Sequence, residues 1–456
     1  MRRSRCARHV LILAGVAAAI PAFAAPDVPK VVGKLPPLDT FSLANGLQVA
    51  FLRTDTAPVV SVQLWYHAGS KDEPRDHRGT AHMFEHLMFQ GSAHARPGLH
   101  AQSIDWLGGL VNAATDEDAT HFVDTVPAAY LDYAIQLEAE RMRNLQITRP
   151  VVDEQRALVE AEIQQQEASP LGAGLARCLA AAYQKHPYAW TAAGNAKELA
   201  ATTPDDLKKF YDAYYQPNNA LLVVVGKVTA AEVKAAAEKW FGPVARAADP
   251  PRPAAASQEP PQTARRREVT APGALGMTLI GWHTPAMKSG DRRDLYALQL
   301  AATLLGSGER ARLKTRLKTP DPRTGRPIAL DAGMDVFLRE DPGLMIALGA
   351  YRDAADGDRV EAAILDEIAK LAARGPGADE LRRIKNLVQT GAVFALESAQ
   401  GMADAIGRSW ILTGGFTAFA NLDDFERVSP ADIQRVVKQY LSADRATIVV
   451  IPPKAR

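Results

Sequence analysis

The sequence predicts two homologous domains, each a layered structure of strands and helices in the α/β or α+β class. Three observations support this prediction. Two stretches of the chain recur at a nearly constant spacing, strand-like and helix-like patterns are mixed within each half, and a proline-rich segment separates the halves. Two repeats of this size are two domains of one fold, because a solenoid stacks many short repeats.

The first 24 residues have the three parts of a secretory signal peptide. Four arginines form a basic start, residues 10–20 form an apolar run, and Ala22-Phe23-Ala24 is a small-x-small cleavage site. A membrane anchor is the alternative, but the apolar run is too short to span ~30 Å of hydrocarbon. We therefore expect a bacterial protein that is periplasmic or secreted.

The composition is that of an ordinary soluble protein. The chain has 456 residues, 53 Lys and Arg against 52 Asp and Glu, and 47% hydrophobic residues. Removal of the predicted signal peptide takes away four arginines and changes the formal charge from +1 to −3, which argues against nucleic acid as a partner. Cys178 is then the only cysteine, so neither an internal disulfide nor a cysteine zinc site can form. No later stretch is apolar for long enough to span a membrane.

The repeat is clearest near the end of each half. Thr203-Pro-Asp-Asp-Leu begins a predicted helix and Asn219-Ala-Leu-Leu-Val-Val-Val a predicted strand. The same two patterns recur at a constant offset in the second half, as Ser429-Pro-Ala-Asp-Ile and Arg445-Ala-Thr-Ile-Val-Val-Ile. At this offset Pro204 corresponds to Pro430 and Val223 to Val449. Each helix has a Ser or Thr N-cap, proline at its first position and an acidic residue in the first turn. Each apolar run is typical of a buried strand.

An earlier match pairs the strand-like residues 60–65 with residues 277–282 at a spacing of 217, so the second half is nine residues longer between the two matches. This match aligns Trp65 with Trp282, and we expect both to pack in the core. Six prolines between residues 243 and 261 predict a semi-rigid linker. The predicted units are a signal peptide at 1–24, domains at 25–243 and 268–456, and a linker at 244–267.

The chemistry is predicted in Thr80-Ala-His-Met-Phe-Glu-His-Leu-Met-Phe. On a helix, His82 and His86 are four residues apart on one face and can bind one Zn²⁺. Glu85 can take a proton from a water that attacks a carbonyl beside the metal. This H-x-x-E-H arrangement is the inverse of H-E-x-x-H. The alternative is a helix with two surface histidines and an ordinary glutamate.

Zinc bound by two histidines needs a third protein ligand. A later acidic helix offers Glu154, Glu160 and Glu162, and its periodicity does not choose among them. The same periodicity predicts that Leu158 and Val159 face the core. A run of carboxylates on a helix is usually a solvated face, which is the alternative for each of the three.

Residues 79–91, Gly-Thr-Ala-His-Met-Phe-Glu-His-Leu-Met-Phe-Gln-Gly, resemble the active-site segment of the pitrilysin/insulinase family of zinc metallopeptidases, the inverted-motif group that includes mitochondrial processing peptidase. In that family the third ligand is a glutamate at a characteristic distance along the chain from the second histidine, a position that Glu162 occupies here. The resemblance implies one Zn²⁺ held by His82, His86 and Glu162. It also implies that Glu85 is the general base of an endopeptidase that cleaves short or unfolded peptides.

The resemblance implies further features of the fold and the site. Each domain is expected to be α+β, a mainly antiparallel sheet packed with helices, and two such domains form half of a clamshell. Asn112 and Ala113 lie in a segment similar to the strand that lines the family's cleft and pairs with the extended peptide; a turn residue is the alternative for Asn112. Gln155 stands where the family often has a glutamate near the metal, so it can add a hydrogen bond there but no charge.

The second half lacks the motif. At the spacing of 217, residues that cannot form the zinc site stand at the three motif positions: Gln299, Ala302 and Thr303. Active family members carry an Arg and a Tyr in a C-terminal half, whereas here Lys318 stands at the Arg position and no Tyr lies near Leu330. The resemblance therefore implies a heterodimer with a homologous chain that lacks zinc ligands, with a homodimer as the alternative. The insertion at 319–327 has no predicted role.

Two other functions are compatible with parts of the sequence. Some relatives of the family are non-catalytic structural or assembly subunits, and the duplicated halves alone would suit a periplasmic peptide-binding protein. The complete H-x-x-E-H motif and the third candidate ligand favour the peptidase over both.

Overall fold

The computed structural model describes residues 37–252, 259–289, 291–322, 324–416 and 423–455. The predicted signal peptide at 1–24 lies outside these residues. Within the described ranges, every helix is too short or too polar to cross a bilayer.

The first half contains a six-stranded sheet. Its strands are β1 (Asp39–Ser42), β2 (Gln48–Arg53), β3 (Val59–Tyr66), β4 (Leu110–Thr115), β5 (Thr120–Pro127) and β6 (Ala220–Gly226). They lie in the order β1-β2-β6-β3-β5-β4, and every pair is antiparallel except β2 with β6. β4 is consequently an edge strand with one side of its backbone unpaired within this sheet.

The second half contains a five-stranded sheet of the same design. Its strands are β7 (Arg266–Val269), β8 (Gly276–Ala286), β9 (Asp331–Phe337), β10 (Pro342–Tyr351) and β11 (Thr447–Ile451). Their order is β7-β11-β8-β10-β9, and only the pair β7 with β11 is parallel. The predicted α+β class with two mainly antiparallel sheets is confirmed.

Helices surround both sheets. Those of the first half are α1 (Thr80–Leu87), α2 (Leu99–Trp106), α3 (Leu131–Asn144), α4 (Arg149–Ala168), α5 (Pro170–Ala182), α6 (Ala196–Ala201), α7 (Pro204–Tyr214) and α8 (Ala230–Trp240). Those of the second half are α9 (Arg292–Gly306), α10 (Arg312–Lys318), α11 (Gly357–Arg374), α12 (Ala378–Ala395), α13 (Ala399–Thr413), α14 (Asp423–Arg427) and α15 (Pro430–Tyr440).

The two halves exchange helices. Each sheet packs helices of its own half on one face and a helix of the other half on the opposite face. α13 covers the first sheet, where Ile406 joins Trp65 and Val223 in one core, and α5 covers the second sheet, where Cys178 joins Leu279. The buried apolar area of each sheet therefore depends on the other half.

The predicted spacing of 217 between the early strands is wrong by one residue. Leu64 pairs with Leu222 in the first sheet, and Ile280 pairs with Ile448, the repeat partner of Leu222, in the second. The true spacing is therefore 216, and the second half is ten residues longer than the first between the two matches. Because side chains alternate across a sheet, this slip puts Trp65 and Trp282 on opposite faces, although both are buried as predicted.

At the corrected spacing, the residues of the second half that correspond to the H-x-x-E-H motif are Leu298, Ala301 and Ala302. These aliphatic side chains carry no donor atom for a metal. The prediction that this half does not hold the zinc through these positions is unaffected by the correction.

A third repeat becomes visible only in the structure. Ser169 caps α5 and Ser398 caps α13, each accepting a hydrogen bond from the amide of a glycine three residues later, Gly172 or Gly401. The serines and the glycines thus recur at one common offset. A Cβ atom on either glycine would overlap the carbonyl oxygen of the residue six positions earlier, so both helix corners need glycine.

The predicted linker is tethered at both ends. Arg252 donates to Asp72 at 3.1 Å, and the Glu259 carboxylate accepts three backbone N–H groups from residues 184–186. Arg266 begins β7 and donates to two carbonyl oxygens at the end of α5, so this end of the linker is bound to the first half.

Candidate metal centre and substrate cleft

The motif lies on α1, whose first turn is capped by a carboxylate from the preceding segment of the chain. The N-cap residue, Gly79, has φ +102° and no side chain with which to cap the helix. Glu73 supplies the cap: its two carboxylate oxygens accept the N–H groups of Gly79 at 3.0 Å and Ala81 at 2.8 Å. Burial raises the pKa of Glu73 to about 8, although both hydrogen bonds act in the opposite direction.

The three predicted ligands converge. Oε2 of Glu162 lies 3.3 Å from Nε2 of His82 and 3.5 Å from Nε2 of His86, and one ligand atom from each of the three residues lies within 4.8 Å of the others. The two imidazole rings are 5.1 Å apart at their centroids. Glu85 lies on the same short helix, one residue before His86.

Helix α4 brings Glu162 to this cluster, and the predicted core-facing side of this helix is wrong at one residue. Val159 is buried as predicted, but Leu158 is 51% exposed. Leu158 and Glu162 are one helical turn apart, so both belong to the cleft-facing side of α4 rather than to its core-facing side. The other two candidates, Glu154 and Glu160, lie outside the cluster.

Neighbouring groups keep the imidazoles available as ligands. Nδ1 of His82 lies 3.4 Å from the carbonyl oxygen of Ala193, a partner that favours hydrogen on Nδ1 and leaves Nε2 with a free electron pair. Burial, followed by the nearby His82, lowers the pKa of His86. The lowered pKa favours neutral imidazole at His86, the form that coordinates a metal.

The donor set fits a zinc ion. Two imidazole nitrogens and one carboxylate oxygen are the protein ligands of many catalytic zinc sites, which keep a fourth position open. A second group of ligand-type residues, His100, Asp124 and Glu138, is fully buried. There the guanidinium of Arg141 donates to Glu138 at 2.8 Å, so a positive charge is already in place and the group is a buried ion network.

The edge strand β4 borders the metal cluster. Asn112 is exposed on β4 and pairs through its backbone with Val123 of β5, so its other side faces the cleft. Asn112 and Ala113 line a cavity of about 280 Å³ together with Glu85, His86 and the buried Gln155. The predicted site residues thus surround one cleft.

A larger cavity, of about 430 Å³, lies on the other side of the cluster and was not found from the sequence. It includes His82, Glu85 and Glu162, and its apolar lining comes from both halves: Leu175 and Leu179 on α5 with Tyr183 directly after that helix, and Phe337 and Leu344 from the second sheet. The recurrence of apolar residues every four positions in and after α5 is a sequence signal for that side of the lining. No sequence signal indicates that the second sheet contributes the other side.

The second half holds no comparable cluster among its described residues. Nζ of Lys318 lies 3.7 Å from Asp331. The insertion at 319–327 is fixed to the start of α11 by ion pairs of Arg326 with Asp356, at 2.6 Å, and of Asp321 with Arg359. Its role stays unassigned.

Comparisons with known proteins find matches for both halves of the chain. Residues 48–195 match the family described as insulinase (peptidase family M16), and this range includes all four predicted motif and ligand residues. Residues 201–388 match a family described as the peptidase M16 inactive domain.

Two named relatives extend over most of the chain. It is 26% identical over 427 residues to the zinc protease PqqE of Helicobacter pylori, which covers 92% of this chain and 94% of that protein. It is 25% identical over 435 residues to the probable mitochondrial-processing peptidase subunit beta of Arabidopsis thaliana, with coverage of 90% and 78%.

Solved structures show the same architecture. A protease from Helicobacter pylori superimposes with a TM-score of 0.85 and 27% identity, over 92% of this chain and 100% of that one. The periplasmic protease PqqL from Escherichia coli gives a TM-score of 0.73 at 17% identity, over 93% of this chain and 48% of that one, a likeness of fold alone.

Proposed function

Because the chain belongs to the insulinase family of peptidases, we propose that it is a zinc-dependent endopeptidase that hydrolyses short or unfolded peptides. His82, His86 and Glu162 hold the metal, one ion per chain, and Glu85 is the general base. The observation that carries the proposal is the approach of the Glu162 carboxylate, from α4, to the Nε2 atoms of both motif histidines.

The chain's own residues would act as follows. When bound, zinc polarises the scissile carbonyl and lowers the pKa of a water molecule. β4 aligns an extended peptide along its free edge through backbone hydrogen bonds, with Asn112 and Ala113 beside the scissile bond. Glu85 accepts a proton from the attacking water and delivers it to the amine that leaves. Gln155 lines the same cavity and can hold a polar group there without adding charge.

Substitution of Glu85 tests the proposed activity. Glu85→Gln should lower peptide hydrolysis by ~10²-fold or more, because the proton acceptor is lost, while zinc content stays near one ion per chain. Glu154→Gln, on α4 but outside the cluster, is the control and should keep both. Zinc is measured by mass spectrometry and hydrolysis with a quenched fluorescent peptide. A Glu85→Gln protein with wild-type activity would exclude Glu85 as the base. Zinc binding without hydrolysis in the wild type would instead indicate a non-catalytic subunit.

We also propose that the chain works as half of a clamshell, with a homologous chain that lacks zinc ligands as its partner. This rests on the absence of the Arg and Tyr expected in a C-terminal half and on the match to about half of PqqL. Purification together with homologous chains from the source, followed by native mass and peptidase assays, tests it. A homodimer is the alternative result, and a fully active monomer contradicts both.

Export to the periplasm is proposed on residues 1–24 alone. When the complete sequence is expressed, cell fractionation should find in the periplasm a product from which these residues have been cleaved. When a variant without these residues is expressed, it should remain in the cytoplasm. Retention of the uncut full-length protein in the cytoplasm would contradict the proposal.

A further inference from the structure

Starting from the proposed peptidase function, we propose that the larger cavity, between α5 and the second sheet, is a specificity pocket. It would accept an apolar side chain, aliphatic or aromatic, from the peptide residue on the amino-terminal side of the scissile bond. The half of the chain without zinc ligands would then help to determine which bonds are cut.

The position of the cavity makes it a pocket for a residue next to the bond that is cleaved. Its lining includes His82, Glu85 and Glu162, so it opens directly on the metal cluster. Its volume of about 430 Å³ lies within the ordinary range of ligand pockets and is sufficient for one large side chain.

The direction of the peptide follows from β4. The smaller cavity contacts β4 at residues 111–113, whereas the specificity pocket contacts it at Thr115 and the following turn. Antiparallel pairing is the arrangement that β4 has with β5 and is slightly more stable per residue than parallel pairing, so we place the peptide antiparallel to β4. In this orientation it runs from the Thr115 end toward the Leu110 end. Its amino-terminal part therefore lies at the specificity pocket, and the part after the scissile bond lies at the smaller cavity.

The wall of the pocket is apolar over most of its surface. Leu175 and Leu179 lie one turn apart on one face of α5, and Tyr183 follows directly after the helix. Phe337 and Leu344 face them from β9 and β10. The hydroxyl group of Tyr183 donates to the carbonyl oxygen of Pro342 at 2.9 Å, so it is already engaged. Burial of an apolar side chain here gains free energy in proportion to the apolar area removed from water.

Apart from Glu85 and the metal ligands, the charged groups of the lining already have partners. Arg339 forms an ion pair with Glu117, and both are largely buried. Oδ1 of Asp116 accepts the N–H groups of Asp118 at 2.8 Å and Ala119 at 2.9 Å. A charged substrate side chain would lose its hydration without gaining a free counter-charge from these residues, which is costly. The polar groups that remain, such as Thr115 and Gln166, are uncharged.

The test uses the zinc-loaded full chain and a pool of synthetic decapeptides that contains every residue type at each position. Mass spectrometry identifies the bonds that are cut. We expect Leu, Ile, Met or Phe before the cleaved bond to give a kcat/KM at least tenfold above that for Asp, Glu, Lys or Arg. Equal cleavage of both classes, within twofold, would overturn the pocket while leaving the peptidase function intact.

Two leucines on α5 provide a matched pair of variants. Leu175 is partly buried at the pocket, whereas Leu171, one turn earlier, is 52% exposed and lies outside it. Leu175→Asp should lower kcat/KM for the apolar class at least tenfold and raise it for Lys and Arg. Leu171→Asp should leave the preference unchanged. If Leu175→Asp does not fold by circular dichroism, Phe337→Ala replaces it and should lower kcat/KM for aromatic residues by ~10-fold. A wild-type profile in the folded variant would overturn the proposal.

Binding provides a readout that is independent of turnover. In the Glu85→Gln background, fluorescence anisotropy of labelled decapeptides should give a Kd for peptides with Leu or Phe at that position at least fivefold lower than for Asp or Lys. Loss of this difference with Leu175→Asp supports the pocket, and its persistence contradicts it. If no peptide is cut by the wild type and Glu85→Gln binds both classes equally, the proposed function and the pocket both fail.

Discussion

At the scale of single residues, the candidate ligands depend on groups outside the motif. Glu73 caps the first turn of α1, and Ala193 fixes the ring of His82 through its carbonyl oxygen. Glu162 reaches the histidines because α4 presents it on the cleft-facing side with Leu158. Each contact orients a side chain that zinc binding requires in a defined position, and such supporting groups are typical of metal centres.

Glu162 is expected to dominate the affinity for zinc among the acidic residues of α4. Glu162→Gln removes the carboxylate that completes the cluster with both imidazoles, so zinc affinity should fall by ~10²-fold or more. Glu160→Gln, two residues away and outside the cluster, should bind zinc as the wild type does. Titration of the metal-free proteins with zinc, followed by calorimetry, measures both constants. Equal affinity in the two variants would contradict the assignment of Glu162 as a ligand.

Glu73 should make stability depend on pH. Burial raises its pKa from 4.5 to about 8, so between these values the folded protein holds a proton that the unfolded chain has released. Stability contributed by this group therefore falls as pH rises through that window, by up to a few kcal/mol. Glu73→Gln imitates the protonated form and does not titrate. The Tm of this variant relative to that of the wild type should therefore increase as pH rises from 5 to 8.5. Thermal unfolding of both proteins across this range is the measurement. A constant difference in Tm would show that Glu73 titrates normally.

At the scale of the elements, caps and apolar runs were sufficient to find the repeated helix and strand near the end of each half. α7 and α15 both begin with the predicted Thr or Ser N-cap followed by proline, and in both the acidic residue of the first turn completes a capping box. β6 and β11 are fully buried. These features are local, so the sequence displays them directly.

Features that depend on packing between elements were harder to predict. Similar apolar runs allowed a slip of one residue between Trp65 and Trp282, which only hydrogen-bonded partners can resolve. An apolar residue beside Val159 fits a buried face, which predicts Leu158 in the core, but α4 leaves that residue exposed. Glu73 caps α1 from six residues before Gly79, a longer spacing than that of a capping box, so the usual cap signature does not reveal it. The wall residue Phe337 lies far from α1 and α5 along the chain, so no local pattern places it at the cleft.

The corner between α12 and α13 should be sensitive to a single methyl group. A Cβ atom at Gly401 would overlap the carbonyl oxygen of Ala395, so Gly401→Ala must open the corner and should cost about 2 kcal/mol or more. Gly391 lies inside α12 with no atom within 4 Å of its Cβ position, and there alanine should stabilise the helix by up to ~1 kcal/mol. Thermal unfolding should show opposite shifts in Tm for the two variants. Shifts of the same sign would contradict the packing described for this corner.

At the scale of the whole molecule, the exchange of α5 and α13 joins two repeats into one unit. Polar contacts reinforce the exchange beside the cleft: Lys71 donates to Asp118 at 2.7 Å and also to Glu340 of the second half, and Asp118 accepts the backbone N–H of Glu340 at 3.0 Å. These groups are buried, so separation of the halves would leave charges without partners. The turn that carries Glu117 and Asp118 is thus fixed by the second half, although the ligand cluster belongs to the first.

Separately expressed halves should therefore fail to fold alone. A fragment of residues 37–252 would expose the face of the first sheet that α13 covers, including Trp65 and Val223, and would leave α5 without the second sheet. Exposed apolar patches of this kind promote aggregation. We expect each fragment to be insoluble or molten when produced alone, and both to give a soluble, cooperatively unfolding complex when produced together. Size-exclusion chromatography and circular dichroism measure this. If the first fragment alone unfolds cooperatively at the Tm of the intact chain, the two sheets are independent and the exchange contributes little to stability.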